Sequence, residues 1–247
     1  MEAYNILIAV FVFLFGISVG SFLNVLIYRI PNEMSINFPP SQCTSCGHKL
    51  KWYHNIPLIS WLALGGKCAF CKNKISAQYP LVELINGLIW LAIYAKIGLV
   101  WYLPFVMLSF SMLLALTMID FKYYAVPDSL NIAALIFALI QPNFLDAILN
   151  ALYAGGALFL LGFTVSKLAK KDSLGEADII VAATMAALLG FPLFFVAMFI
   201  SAIIAIIPSL LAKDTMVPFV PFLALATLIT YLNQEYLLNL LQALMYG

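Results

Sequence analysis

Long apolar runs dominate this sequence and leave it few ways to fold. They cover roughly residues 4–28, 81–98, 101–119, 128–141, 146–168, 178–190, 191–211 and 219–241. A helix needs roughly 20 apolar residues to cross the hydrocarbon core of a bilayer. Inside that core only helices and closed barrels satisfy their own backbone polar groups. Charged residues are 9% of the chain, against roughly 25% in a soluble domain. The expectation is an all-α polytopic membrane protein with about eight transmembrane helices. The runs 128–141 and 178–190 are short for a perpendicular span. Those helices enter either a thinned bilayer or an interior lined by their neighbours.

The first run follows Glu2 and ends at Arg29-Ile30-Pro31. It lacks the basic start, short apolar core and small-residue cleavage site of a secretory signal, so it reads as a retained span. Gly16, Gly20 and Asn24 recur every four residues and share one helix face. Small residues at that spacing let two helices pack closely. The chain then divides into this first helix (1–28), a polar segment (29–80) and a transmembrane bundle (81–247).

The net charge of +1 gives no electrostatic basis for nucleic-acid binding, but the placement of charge is informative. With eight spans, Arg29 and ten lysines (49, 51, 67, 72, 74, 122, 167, 170, 171 and 213) fall on one side and only Lys96 on the other. The excess marks that side as cytoplasmic and puts both termini outside.

The polar segment holds all four cysteines, as Cys43-x-x-Cys46 and Cys68-x-x-Cys71 with 21 residues between the pairs. Two such pairs match the spacing of a tetrathiolate zinc site. Cytoplasmic thiols stay reduced, which argues against disulfides. The expectation is a structural zinc that supplies folding free energy to a module with little core. The alternative is a set of thiols that pack or serve redox chemistry.

Two carboxylates stand out in a chain so poor in charge. Asp120 ends an apolar run in LTMIDFKYYAVPD (Leu116–Asp128), and Asp178 begins one in GEADII (Gly175–Ile180). Both fall at cytoplasmic helix ends. A carboxylate drawn into such an end is costly and marks a functional candidate, whereas one reaching water is an ordinary interfacial residue. A pair on the same side favours function. Glu83, just inside a run, reads as functional or packed, and Glu33 as solvated. Pro127-Asp128 reads as a helix start whose carboxylate caps free N–H groups.

Taken together, GSFLNVLIYRIP (Gly20–Pro31), the paired CxxC motifs, NIPLISWLALGGKC (Asn55–Cys68), YPLVELING (Tyr79–Gly87), MIDFKYYAVPD (Met118–Asp128) and VPFVPFLALA (Val217–Ala226) resemble the type IV prepilin peptidases of bacteria. The resemblance runs from about Gly16 to Ala226. It implies an intramembrane aspartyl protease of the bacterial inner membrane. The implied substrates are type IV prepilins or pseudopilins, cut after a glycine to release a short basic leader. It further implies methylation of the new amino terminus with S-adenosylmethionine as donor. The family's catalytic aspartates fall on Asp120 and Asp178. The second site departs from the family's G-x-G-D pattern, with Ala177 in place of a glycine, a change that forbids the positive-φ conformations glycine allows, and Ile180 where a lysine is usual. Val220 replaces a glycine in the last motif. Two readings stay open beside this one: a protease without the methyltransferase, and a multi-span transporter with a zinc-ribbon insert, for which the sequence lacks the expected internal repeat.

Overall fold

The computed structural model describes residues 2–169, 175–211 and 217–246, and their regular structure is helical. Lys170, Lys171 and Lys213, which contribute to the charge bias, lie outside the described residues. The chain forms two compact units, Met1–Leu99 and Val100–Gly247.

The first unit is built on a helical hairpin of α1 (Glu2–Arg29) and α3 (Gln78–Ile97). Between them lie the cysteine segment, a 3₁₀ turn at Trp52–Asn55 and the short α2 (Ile59–Ala63). The small-residue face forms the hairpin seam. A Cβ at Gly16 would stand 2.8 Å from Gly87 Cα, and one at Gly20 only 2.7 Å from Glu83 Cα. Only glycine permits that approach. The buried amide of Asn24 donates to the Tyr79 carbonyl at 3.0 Å, and that of Asn86 to the Gly16 carbonyl at 2.7 Å. Contacts that pair rising numbers in α1 with falling numbers in α3 make the two helices antiparallel.

The second unit comprises α4 (Leu103–Tyr123), α5 (Asp128–Leu139), α6 (Phe144–Ala169), α7 (Glu176–Leu189), α8 (Leu193–Leu211), α9 (Val220–Leu232) and α10 (Gln234–Tyr246). Helices α5 and α9 each pack against both α4 and α7, while α6 packs on α7 and α8 on α9. Most of α4 is buried, and α7 is buried without interruption from Val181 to Leu189. Among the described residues, α1, α3, α4, α6 and α8 are long and apolar enough to cross a membrane. Helices α5, α7 and α9 have 12, 14 and 13 residues, a rise of only about 18–21 Å. The sheathing of α7 favours the protein-lined interior over a thinned bilayer for that helix.

Three local expectations need correction. The run 219–241 is not one helix. At Asn233 the backbone leaves helical geometry (φ −110°, ψ 22°), and the side-chain amide bonds the Ile229 carbonyl at 2.8 Å, closing α9 before α10 begins. Asp128 does not cap α5: Pro127 holds the cap position, and Asp128 is an exposed first-turn residue without a side-chain capping bond. There its charge still suits the positive end of the helix. Ala177 meets none of the strain that replacing a glycine suggests, because it lies in the first turn of α7 at negative φ. The turn at Gly190 does separate two helices. Gly190 takes φ +67° and returns its N–H to the Ala186 carbonyl at 2.9 Å, a geometry costly for any other residue.

Candidate active site and metal centre

The two CxxC segments fold as near copies of one another. In the first, Cys43 N–H donates to the His48 carbonyl (3.0 Å) and Gly47 N–H to the Cys43 carbonyl (2.8 Å). In the second, Cys68 N–H donates to the Asn73 carbonyl (2.8 Å) and Lys72 N–H to the Cys68 carbonyl (3.1 Å). An antiparallel bridge flanks each, Gln42 with Lys49 and Lys67 with Lys74. The left-handed position is Gly47 (φ +69°) in one knuckle and Lys72 (φ +60°) in the other.

Four sulfurs converge as a result. Those of Cys43, Cys46, Cys68 and Cys71 lie within 4.8 Å of one another, with Cys43 and Cys71 at 3.9 Å. A tetrahedral zinc with bonds of ~2.3 Å sets its sulfurs about 3.8 Å apart, so the donor set fits such an ion. Cys68 is buried, and the backbone N–H groups of Cys71 and Phe70 hold its thiol down at about 6, favouring the ligating thiolate. At Cys71 the N–H of Asn73 acts in the same direction. Burial and the crowd of neighbouring sulfurs outweigh it, pushing that thiol up to about 11. His48 and His54 are outside the sulfur cluster and pack against Phe70.

Glu83 proves to be a packed residue. It is buried on α3, where its Oε2 accepts the Leu58 N–H at 2.8 Å and the Ser21 hydroxyl also bonds it. The carboxylate thereby ties the loop before α2 to the hairpin. Leu58 sits at φ +61° in that loop, a conformation that costs roughly 1–2 kcal/mol for a non-glycine residue. Glu33 and Glu176 are exposed.

The aspartates occupy contrasting helix ends. Asp120 is in the last turn of α4 and only 6% exposed. The Tyr124 N–H closes that helix on the Asp120 carbonyl at 3.0 Å, with Tyr124 itself left-handed. A negative charge at a helix C-terminus opposes the helix dipole. It is answered by the N-terminus of α9, whose first residue, Val220, donates its backbone N–H to Asp120 Oδ2 at 3.2 Å. Replacing the expected glycine by valine keeps that N–H, and the buried side chain (1% exposed) adds packing.

Asp178 is in the first turn of α7, where the dipole favours a carboxylate. Its N–H donates to the Gly175 carbonyl at 3.0 Å, and a Cβ at Gly175 would approach its Oδ2 to 3.2 Å. The amide of Asn131 on α5 holds the adjacent Ala177 carbonyl at 2.9 Å. Helices α5 and α9 thus bridge α4, which carries Asp120, and α7, which carries Asp178. The fold places the two carboxylates on helices that share α5 and α9 as neighbours, across 57 intervening residues. Two like carboxylates in unlike surroundings can hold different protonation states, the requirement for acid and base in one site.

Side-chain reading missed Val220 and Asn131. The first acts through its backbone. The second had a visible signal, a lone amide on the otherwise apolar buried face of α5.

Comparison with known proteins covers most of the chain. The family model described as the bacterial peptidase A24 N-terminal domain matches residues 14–97, and that of the type IV leader peptidase family matches residues 107–210. A prepilin leader peptidase/N-methyltransferase of Myxococcus xanthus is 40% identical over 74% of this chain and 56% of its own length. A Stutzerimonas stutzeri protein of the same name is 32% identical over 85% of this chain and 86% of its own. One from Pseudomonas aeruginosa is 30% identical over 86% of each. No solved structure matches.

Proposed function

Because this chain belongs to the type IV leader peptidase family, we propose that it cuts the basic leader from type IV prepilins or pseudopilins after a glycine and methylates the amino terminus it exposes. Asp120 and Asp178 are the catalytic pair. The observation that carries this reading is that α5 and α9 each pack against both α4 and α7, whose ends carry Asp120 and Asp178.

One ionised carboxylate takes a proton from water as the oxygen attacks the carbonyl carbon of the glycine. The protonated partner bonds the carbonyl oxygen and so stabilises the charge that develops there. Collapse of the tetrahedral species breaks the carbon–nitrogen bond, and the departing nitrogen takes up a proton from the pair. The leader leaves as a carboxylic acid, and the mature pilin keeps a free amine. S-Adenosylmethionine supplies the second activity with an electrophilic methyl on a sulfonium, which the freed amine accepts as it loses a proton.

The organisation that suits this chemistry has about eight spans in the bacterial cytoplasmic membrane, both termini outside, and residues 29–80 as a cytoplasmic module between the first helix and the 81–247 bundle. A basic leader then stays in the cytoplasm, and the scissile bond lies level with the aspartates, where water is available. Cys43, Cys46, Cys68 and Cys71 hold a structural zinc.

Purified protein incubated with a prepilin and labelled S-adenosylmethionine tests both activities by mass spectrometry. The expected product has lost the leader and gained one methyl. An intact prepilin from well-folded enzyme removes the peptidase, and a cleaved but unmethylated product removes the methyltransferase. Metal analysis of the same sample should give about one zinc per chain, and Cys68→Ser should lose it.

A further inference from the structure

Asn131 is the polar exception on the buried face of α5, whose other buried members are Leu130, Ala134 and Ala138. It has no exposed surface. The orientation of its amide follows from its partner: a carbonyl only accepts, so the Nδ2 end must face Ala177 O, which it meets at 2.9 Å. Its Oδ1 is then left buried with no donor among the described residues. Burying an amide half-satisfied is unfavourable, and a rule broken in a core is most often broken at a site.

The bond falls at a sensitive place. Ala177 immediately precedes Asp178, and the first turn of α7 sets the direction in which that carboxylate leaves the helix. Helix α5 also packs on α4, which carries Asp120. We propose that Asn131 is a positioning residue of the peptidase, holding the Ala177 carbonyl so that Asp178 is fixed with respect to Asp120. The inference rests on the aspartate-pair reading above. A displacement of about 1 Å at a catalytic group can cost on the order of a hundredfold in rate, so the bond matters for turnover more than for stability.

The charged groups on the helices packed against α5 are Asp120 and Lys122 on α4, Glu176 and Asp178 on α7, and Asp146 and Lys167 on α6, besides Asp128 on α5 itself. A carboxylic acid at position 131 can donate to the Ala177 carbonyl only while protonated. An added charge that merely sat beside the pair would move the pH optimum to the alkaline side, whereas a required donor moves it to the acid side.

The test uses the full chain in detergent or nanodiscs, with Asn131→Leu, Asn131→Asp and, in parallel, Asp178→Asn. For Asn131→Leu, kcat should fall about tenfold or more with KM within about twofold, at a melting temperature near that of the wild type. The cleavage optimum of Asn131→Asp should shift to lower pH. Wild-type kcat in Asn131→Leu, or an optimum for Asn131→Asp that is unmoved or alkaline, overturns the assignment. If Asn131→Leu does not fold, the pH profile of Asn131→Asp decides alone. Cleavage by Asp178→Asn would bring down the aspartate reading itself, whereas an inactive Asp178→Asn beside a fully active Asn131→Leu removes only the role of Asn131.

Discussion

Replacing Gly20 by alanine should loosen the α1–α3 hairpin, and the size of the effect can be worked from the seam. The new methyl would stand 2.7 Å from Glu83 Cα and 3.2 Å from both the Glu83 carbonyl oxygen and Asn86 Cβ. Two of those three atoms are backbone, so no rotamer change relieves the overlap. Carbon atoms rest about 3.5–4.0 Å apart, which requires the helices to part by about 1 Å. The bonds of Asn24 to Tyr79 (3.0 Å) and Asn86 to Gly16 (2.7 Å) cross the same seam and would stretch with it. Overpacking costs about 1–3 kcal/mol, a weakened hydrogen bond adds about 1 kcal/mol, and alanine's helix propensity offsets about 1 kcal/mol. A net loss of about 1–3 kcal/mol corresponds to a melting temperature lower by about 3–10 °C for a chain of this size. Gly156→Ala is the matched control. A Cβ there meets nothing within 4 Å, so only the propensity gain of about 0.5–1 kcal/mol remains. Thermal unfolding in detergent should therefore move the two variants in opposite directions. A Gly20→Ala protein as stable as Gly156→Ala would refute the close-packed seam.

Other positions give sharper local tests. Val220→Pro removes the N–H donated to Asp120 and should lower cleavage about ten- to hundredfold, the equivalent of a charged hydrogen bond. Val220→Gly keeps the donor and should retain most activity despite losing buried side-chain volume. Lys72→Gly relieves a left-handed residue in the second knuckle and should raise the temperature at which the cysteine segment unfolds, by a stabilisation of up to about 1 kcal/mol. Glu83→Leu abolishes the acceptor for the Leu58 N–H and should increase proteolytic cutting near residues 56–58, whereas Glu83→Gln keeps an acceptor oxygen and should not.

Much of this architecture is legible in the residues because its determinants are local. The four-residue spacing of Gly16, Gly20 and Asn24 fixes a helix face without knowledge of the partner helix. The two CxxC spacings predict a convergence that needs only two tight turns, and Gly190 announces the end of α7. The break at Asn233 was legible in principle, since Asn233-Gln234-Glu235 interrupts an apolar run with three polar side chains, but run length outweighed it. Asp128 was misassigned by one position, a distinction set by the backbone angles at Pro127. What could not be read is whatever depends on non-local approach: the α9 N–H that meets Asp120 from 100 residues away, the hold of Asn131 on Ala177, and the Leu58 N–H that Glu83 accepts from 25 residues away. Ala177 shows the opposite case. The motif made it look strained, and its place in a helical turn removes the reason for strain.

Single-turnover cleavage of a prepilin by purified Asp120→Asn and Asp178→Asn, beside the wild type, decides whether Asp120 and Asp178 form one hydrolytic site. If they do, both variants insert and melt like the wild type, yet release no detectable leader. Cleavage by either variant within about tenfold of the wild-type rate would contradict it, because losing an acid–base partner costs about a hundredfold or more.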